Sequence, residues 1–154
     1  MTMPIADCGF PDSGQVSGSQ MLLRFGPTLF VDIGFDPEHK YGVDGTLPKS
    51  TAAQVPALVD TGATMSCIDD ALAQKMELPL VDRQNVSGVS GKHKCNVFLA
   101  HIVAPTLAWF QWGLFYGVNL TEGGQAHQAL IGRTFLQGMM MIYDGRTGSV
   151  QIAR

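Results

Sequence analysis

The stretch VPALVDTGATMSCI, residues 55–68, is apolar on both sides of a single acid, Asp60, which is followed by Thr61, Gly62 and Ala63. A carboxylate at the end of a buried strand is costly to keep charged and alone, so its pKa rises or it finds donors. Read by itself, Asp60 is a turn-initiating aspartate whose oxygens accept the backbone N–H groups of Gly62 and Ala63. A second signal stands much later in the chain: the apolar pair Leu130 and Ile131 runs into Gly132, then Arg133 and a short helical pattern.

Other residues that invite chemistry are explained by simpler readings. SGVSGKH resembles a phosphate-binding loop, but Val86 stands where its first glycine belongs and His93 where Ser or Thr is needed. A hairpin explains those glycines better. His93, Cys95 and His101 lack the spacing of a zinc site and read as solvated histidines on a strand. Cys67 reads as a small packing residue, and Met139–Met141 with Ile142 as core or dimer contact. Neither a metal nor a cofactor is expected.

The elements that must position Asp60 come from pattern and punctuation. The 154 residues suit one domain that buries about two-thirds of its unfolded surface. Residues 1–19, rich in Gly, Pro, Ser and Asp, predict a flexible arm, and residues 20–154 a single domain. MLLRF and TLFVDIGF read as two strands or one bent strand, and residues 36–54 as a long surface loop. VPALVD is a strand, and Asp69 caps a short helix stopped by Pro79. Residues 85–103 predict a hairpin hinged at Gly88 and Gly91; residues 109–120 predict a strand pair or one bent strand. A final hairpin joins MMMIYD to SVQIA through DGRTG. The whole reads as mostly β with one or two short helices.

The net charge of −3 with scattered lysines and arginines argues against a nucleic-acid partner. Three cysteines without close pairing fit a reducing compartment, and no segment is long and apolar enough to span a bilayer. With no secretory pattern at the N-terminus, the expectation is a cytoplasmic protein that does not engage membrane.

The pairing of Asp60-Thr61-Gly62-Ala63 with Leu130-Ile131-Gly132-Arg133 resembles the retropepsin-like aspartic proteases over roughly residues 29–152. That resemblance implies a closed barrel of acid-protease type and an endopeptidase in which Asp60 is the catalytic acid/base. It implies that Thr61 braces the two loops across a dimer axis, that Gly62 permits the turn, and that Ala63 lines the cleft. Leu130, Ile131 and Gly132 would support the loop from below, with Arg133 beside them. Val86, Ser87, Gly88, Val89, Ser90 and Gly91 would form a flap closing over a polypeptide substrate. This chemistry needs two carboxylates sharing one proton, yet the chain holds one D-T-G. A homodimer supplies the second Asp60.

The chain departs from the viral pattern at Thr64, where an acid would pair with Arg133, so Asp69 or Asp70 becomes the expected partner. The terminal hairpin also replaces a single strand. Two rivals remain open: a module of this fold that binds without cleaving, and a phosphate-loop protein of the actin-like kinase type, which needs far more chain.

Overall fold

The computed structural model describes residues 2–43 and 45–154. Met1, of the expected arm, and Asp44, of the long loop, lie outside the described residues.

Where composition predicts a loose arm, the chain builds structure. Strand β1, Ile5–Asp7, pairs antiparallel with a C-terminal strand, and Ala6 and Cys8 enter the core. Burial beside Asp7 pushes the Cys8 thiol up to about 12, so it packs as a neutral group. MLLRF is a helix, not a strand: α1 spans Gly18–Phe25. The reason is a capping box, in which the Ser17 hydroxyl accepts from Gln20 N–H while the Gln20 side chain accepts from Ser17 N–H. Leu22 packs inward, Leu23 faces water, and Gly26, at φ 73°, ends the helix where a side chain would be strained.

A ring-like sheet follows. Strands β2 (Thr28–Gly34), β3 (Ala52–Val59), β4 (Cys67–Asp69), β5 (Leu80–Gly88), β6 (Gly91–Ala104), β7 (Trp109–Val118) and β8 (Ala129–Ile131) pair in the order β2-β3-β8-β4-β7-β6-β5. Pairing of β2 with β6 at Asp32–Val103, Ile33–Ile102 and Gly34–His101 closes the ring and leaves β5 outside it. The resemblance implied a closed barrel; the structure shows a mostly-β fold with this ring-like sheet. Period-2 alternation fills the interior, with Leu29, Val31 and Ile33 facing Val55, Ala57 and Val59. The segment from Trp109 is one strand rather than a pair.

Three α-helices occur among the described residues: α1, α2 (Asp70–Lys75, capped by Asp69 as expected) and α3 (Arg133–Leu136). None is long and apolar enough to cross a membrane. Strands β9 (Met140–Asp144) and β10 (Ser149–Ala153) form the expected terminal hairpin, and β1 completes its sheet in the order β1-β10-β9.

The long loop between β2 and β3 is tied down by His101, which is fully buried rather than solvated; of the strand histidines, only His93 is exposed. Asp36 N–H donates to the Tyr41 hydroxyl, 3.2 Å away, and that hydroxyl lies 2.8 Å from His101 Nδ1. Ser50 Oγ lies 2.9 Å from His101 Nε2. Phe110 and Trp112 pack on Tyr41.

Burial pushes His101 down to about 4, even with Asp36 nearby to favour the charged ring. A folded pKa below the unfolded value near 6.5 means that the stabilisation is complete above pH 6.5 and drains away as pH falls toward 4. Its size is at most about 3 kcal/mol. Thermal melts between pH 7 and 4.5, above most carboxylate titration, should show wild type losing stability with acid and His101→Asn, weaker at neutral pH, losing distinctly less.

Candidate active site

Asp60 ends β3 and opens a loop that returns to the sheet as β4. Strand β8 threads between these two strands, parallel to β3 and antiparallel to β4. The loop is bonded to the crossing segment along its length. Asp60 N–H donates to Ile131 carbonyl at 2.9 Å, Arg133 N–H to Ala63 carbonyl at 3.0 Å, and Thr134 N–H to Thr64 carbonyl at 3.0 Å. The buried Ser66 hydroxyl accepts Gly132 N–H at 3.0 Å.

Gly132 is where the two backbones touch. A Cβ there would meet the Met65 carbonyl carbon at 2.5 Å and its nitrogen at 3.0 Å. This is why the pair Leu130 and Ile131 must be followed by glycine: the next residue crosses under the loop with no space for a side chain. Leu130 is half-buried and Ile131 fully buried, so the support has an apolar underside.

Within the loop, Gly62 N–H donates to Asp60 Oδ1 at 2.9 Å and Ala63 N–H to the Asp60 carbonyl oxygen at 3.2 Å. The turn reading of the sequence is therefore right for Gly62, while Ala63 bonds the backbone oxygen instead of the carboxylate. Among the described residues the second carboxylate oxygen has no hydrogen bond. Asp60 is half-buried, and Thr61 and Gly62 are exposed. An acid held by its backbone with a carboxylate oxygen left over can exchange protons with whatever occupies the space above it.

Arg133 corrects the expectation of an Asp69 or Asp70 partner. Its guanidinium donates to the Thr61 carbonyl at 2.8 Å and to Thr64 Oγ1 at 3.0 Å. Thr64 thus takes the contact itself, with a hydroxyl where a carboxylate was expected. Asp69 is engaged elsewhere. Burial acts to raise its carboxyl, but the Thr121 N–H and hydroxyl, Leu120 N–H and Leu72 N–H together hold it below the ordinary range. It fastens α2 and the chain after β7 to β4. Asp70 accepts from Asn96 Nδ2 at 2.8 Å, linking α2 to β6.

Cys67, beside the loop, is pushed up to about 11 by burial, then by Cys95 and Asp60. A thiol so held stays protonated and is a poor nucleophile. The six flap residues form the end of a hairpin: Val86, Ser87 and Gly88 close β5, Val89 and Ser90 make the turn, and Gly91, at φ 108°, opens β6. Val89 is fully exposed, and of residues 80–90 only Val86 is half-buried. The end of this hairpin is thus bare on both faces.

Sequence reasoning overlooked Ser66, Thr64 as the Arg133 partner, and Asp69 as an anchor. Ser66 carried a faint signal, a hydroxyl inside an apolar run. The other two depend on which strands meet.

The family model described as gag-polyprotein putative aspartyl protease matches residues 51–138, more than half of the chain. That span takes in β3, the Asp60 loop, the hairpin, β8 and α3. No curated protein matches the chain.

Substituting Gly132→Ala should cost roughly 2–4 kcal/mol in urea unfolding, since neither backbone can yield without breaking the loop bonds. Ser66→Ala, which strands the buried Gly132 N–H, should cost about 1–3 kcal/mol.

Proposed function

The chain belongs to the gag-polyprotein aspartyl protease family, and from that premise we propose that it is an aspartic endopeptidase working as a homodimer, with one Asp60 from each copy at a shared site. What carries this reading is the single D-T-G loop, bonded to β8 and α3 through its backbone while one carboxylate oxygen is left without a partner among the described residues.

Two carboxylates facing one another at ~3 Å cannot both ionise, so the pair holds one proton. The charged member takes a proton from a water between them as its oxygen attacks the peptide carbonyl. The protonated member donates to the carbonyl oxygen. The roles then reverse, and the leaving amide nitrogen is protonated as the C–N bond breaks. No metal enters these steps.

Thr61 is exposed, its carbonyl is held by Arg133, and its hydroxyl has no hydrogen bond among the described residues. It is thereby suited to meet its mate across a twofold axis. Ile5, Met140 and Ile142, each about half exposed on the terminal sheet, offer apolar area for the same contact. Flap residues Val86–Gly91 would close over the polypeptide and exclude water. Gly62 would let the substrate backbone come close, with Ala63 lining the cleft.

The experiment is cleavage of a diverse peptide mixture from acid to neutral pH, read by mass spectrometry. Asp60→Asn should lower the rate at least roughly a hundredfold. Wild-type rate should rise faster than linearly with protein concentration where the subunits separate. Equal behaviour of the two proteins would sink the endopeptidase reading. Peptide retention without cleavage by wild type would favour the binding module.

A further inference from the structure

Strand β6 is longer than the strands beside it, and one of its edges changes company. Residues Val97 to Ala104 pair with β7, but the pairing stops at Val97–Tyr116. Beyond it, Gly91–Asn96 are paired with β5 only. Beyond that point Gly117 and Val118 of β7 stay paired with β4, at Ile68 and Asp69, and no longer with β6. Gly117 is required there, since a Cβ would strike the Asp70 carboxylate and come within 2.8 Å of the Phe98 ring.

The parting of the two strands leaves a cavity of about 630 Å³, whose lining includes Asp70, His93, Lys94, Asn96, Gly117 and Asn119. That lies within the range of ligand pockets. Its wall carries backbone as well as side chains. The two-residue turn makes Gly88–Gly91 a hydrogen-bonded pair, and alternation along the ladder then makes Ser87–Lys92 and Asn85–Lys94 non-bonded pairs. Lys92 and Lys94 therefore turn their N–H and C=O groups away from β5, and Lys94 lines the gap. An extended main chain is the ligand that satisfies groups in this spacing.

The charge at the rim narrows the choice. Lys92, His93 and Lys94 are consecutive and exposed, in a chain whose net charge is −3. The one carboxylate in the wall, Asp70, is already occupied by Asn96 and Gln74. Ser90, at the flap turn, also lines the cavity, so the gap is continuous with the hairpin proposed to cover substrate.

We propose that this gap is a strand-addition site, in which an acidic, extended segment of the polypeptide substrate, outside the residues at the scissile bond, pairs with the open edge of β6 at Lys92 and Lys94. The identity of the occupant rests on the endopeptidase reading. The site itself rests on the backbone edge and its cavity. Its role is to hold the substrate by a feature remote from Asp60, lowering KM for long acidic chains and leaving short peptides alone.

The test uses the full-length Asp60→Asn protein and two pools of extended peptides, one with glutamate-rich and one with lysine-rich flanks. Amide hydrogen exchange at Lys92 and Lys94 should slow with the glutamate pool and stay unchanged with the lysine pool. Lys92→Glu combined with Lys94→Glu changes two exposed side chains and leaves the backbone intact. In wild-type background it should raise KM for a glutamate-flanked substrate roughly five- to tenfold, with kcat and short-peptide cleavage unaltered. Unchanged exchange with the glutamate pool, or equal loss on short and long substrates, would overturn the proposal. So would slowing that follows protein concentration without peptide, since the occupant would then be a second copy. If Asp60→Asn still cleaved, the catalytic reading would fall, whereas exchange protection by acidic peptide would still establish the site.

Discussion

A backbone crossing with no room for a side chain holds the Asp60 loop in place. Strand β8 passes between β3 and β4, and Gly132 lies against the Met65 backbone. Because the contact is backbone on backbone, neither partner has a rotamer to adjust, and the hydrogen bonds on either side are fixed in length and direction. The loop is therefore stiff at its base, with one Asp60 carboxylate oxygen held by Gly62 N–H and the other without a hydrogen bond among the described residues.

From that crossing the rest of the ring takes its shape. The parallel pairing of β3 with β8 sets where Asp60 emerges, and Asp69, tied to Thr121 and Leu120, sets how β4 leaves. The end of β7 stays paired with this β4 after its pairing with β6 has stopped, and the gap beside the hairpin lies where β6 and β7 part. A long strand shared among three neighbours thus connects the closed interior, the exposed hairpin and a polar cleft. At its other end His101, buried and bonded to Tyr41 and Ser50, clasps the long loop outside β2.

Particular residues show how far the chain could be read without coordinates. The apolar runs in residues 28–34 and 55–59 mark β2 and β3, whereas residues 52–54, read as loop, extend β3 through the pairing of Ala52 with Ile33. The glycines at 88 and 91 mark the hairpin because its tight turn ends there, with positive φ at Gly91. MLLRF misled because five apolar-rich residues carry no reliable period, and the deciding signal was the local Ser17–Gln20 box. Residues 1–19 misled because composition reports backbone freedom, whereas β1 is recruited by a partner at the far end of the chain.

The sequence by itself determined the turn at Asp60, the hairpin at Gly88 and Gly91, and the alternation that makes a mostly-β core. Each of these is a local pattern, settled by turn sterics and by which face of a strand is apolar. The tertiary structure alone decided the partner of Arg133, the burial of His101, the docking of β1 and the parting of β6 from β7. Those depend on contacts between residues far apart in the chain, where a neighbour's carbonyl, hydroxyl or missing Cβ sets the outcome and no spacing in the sequence encodes it.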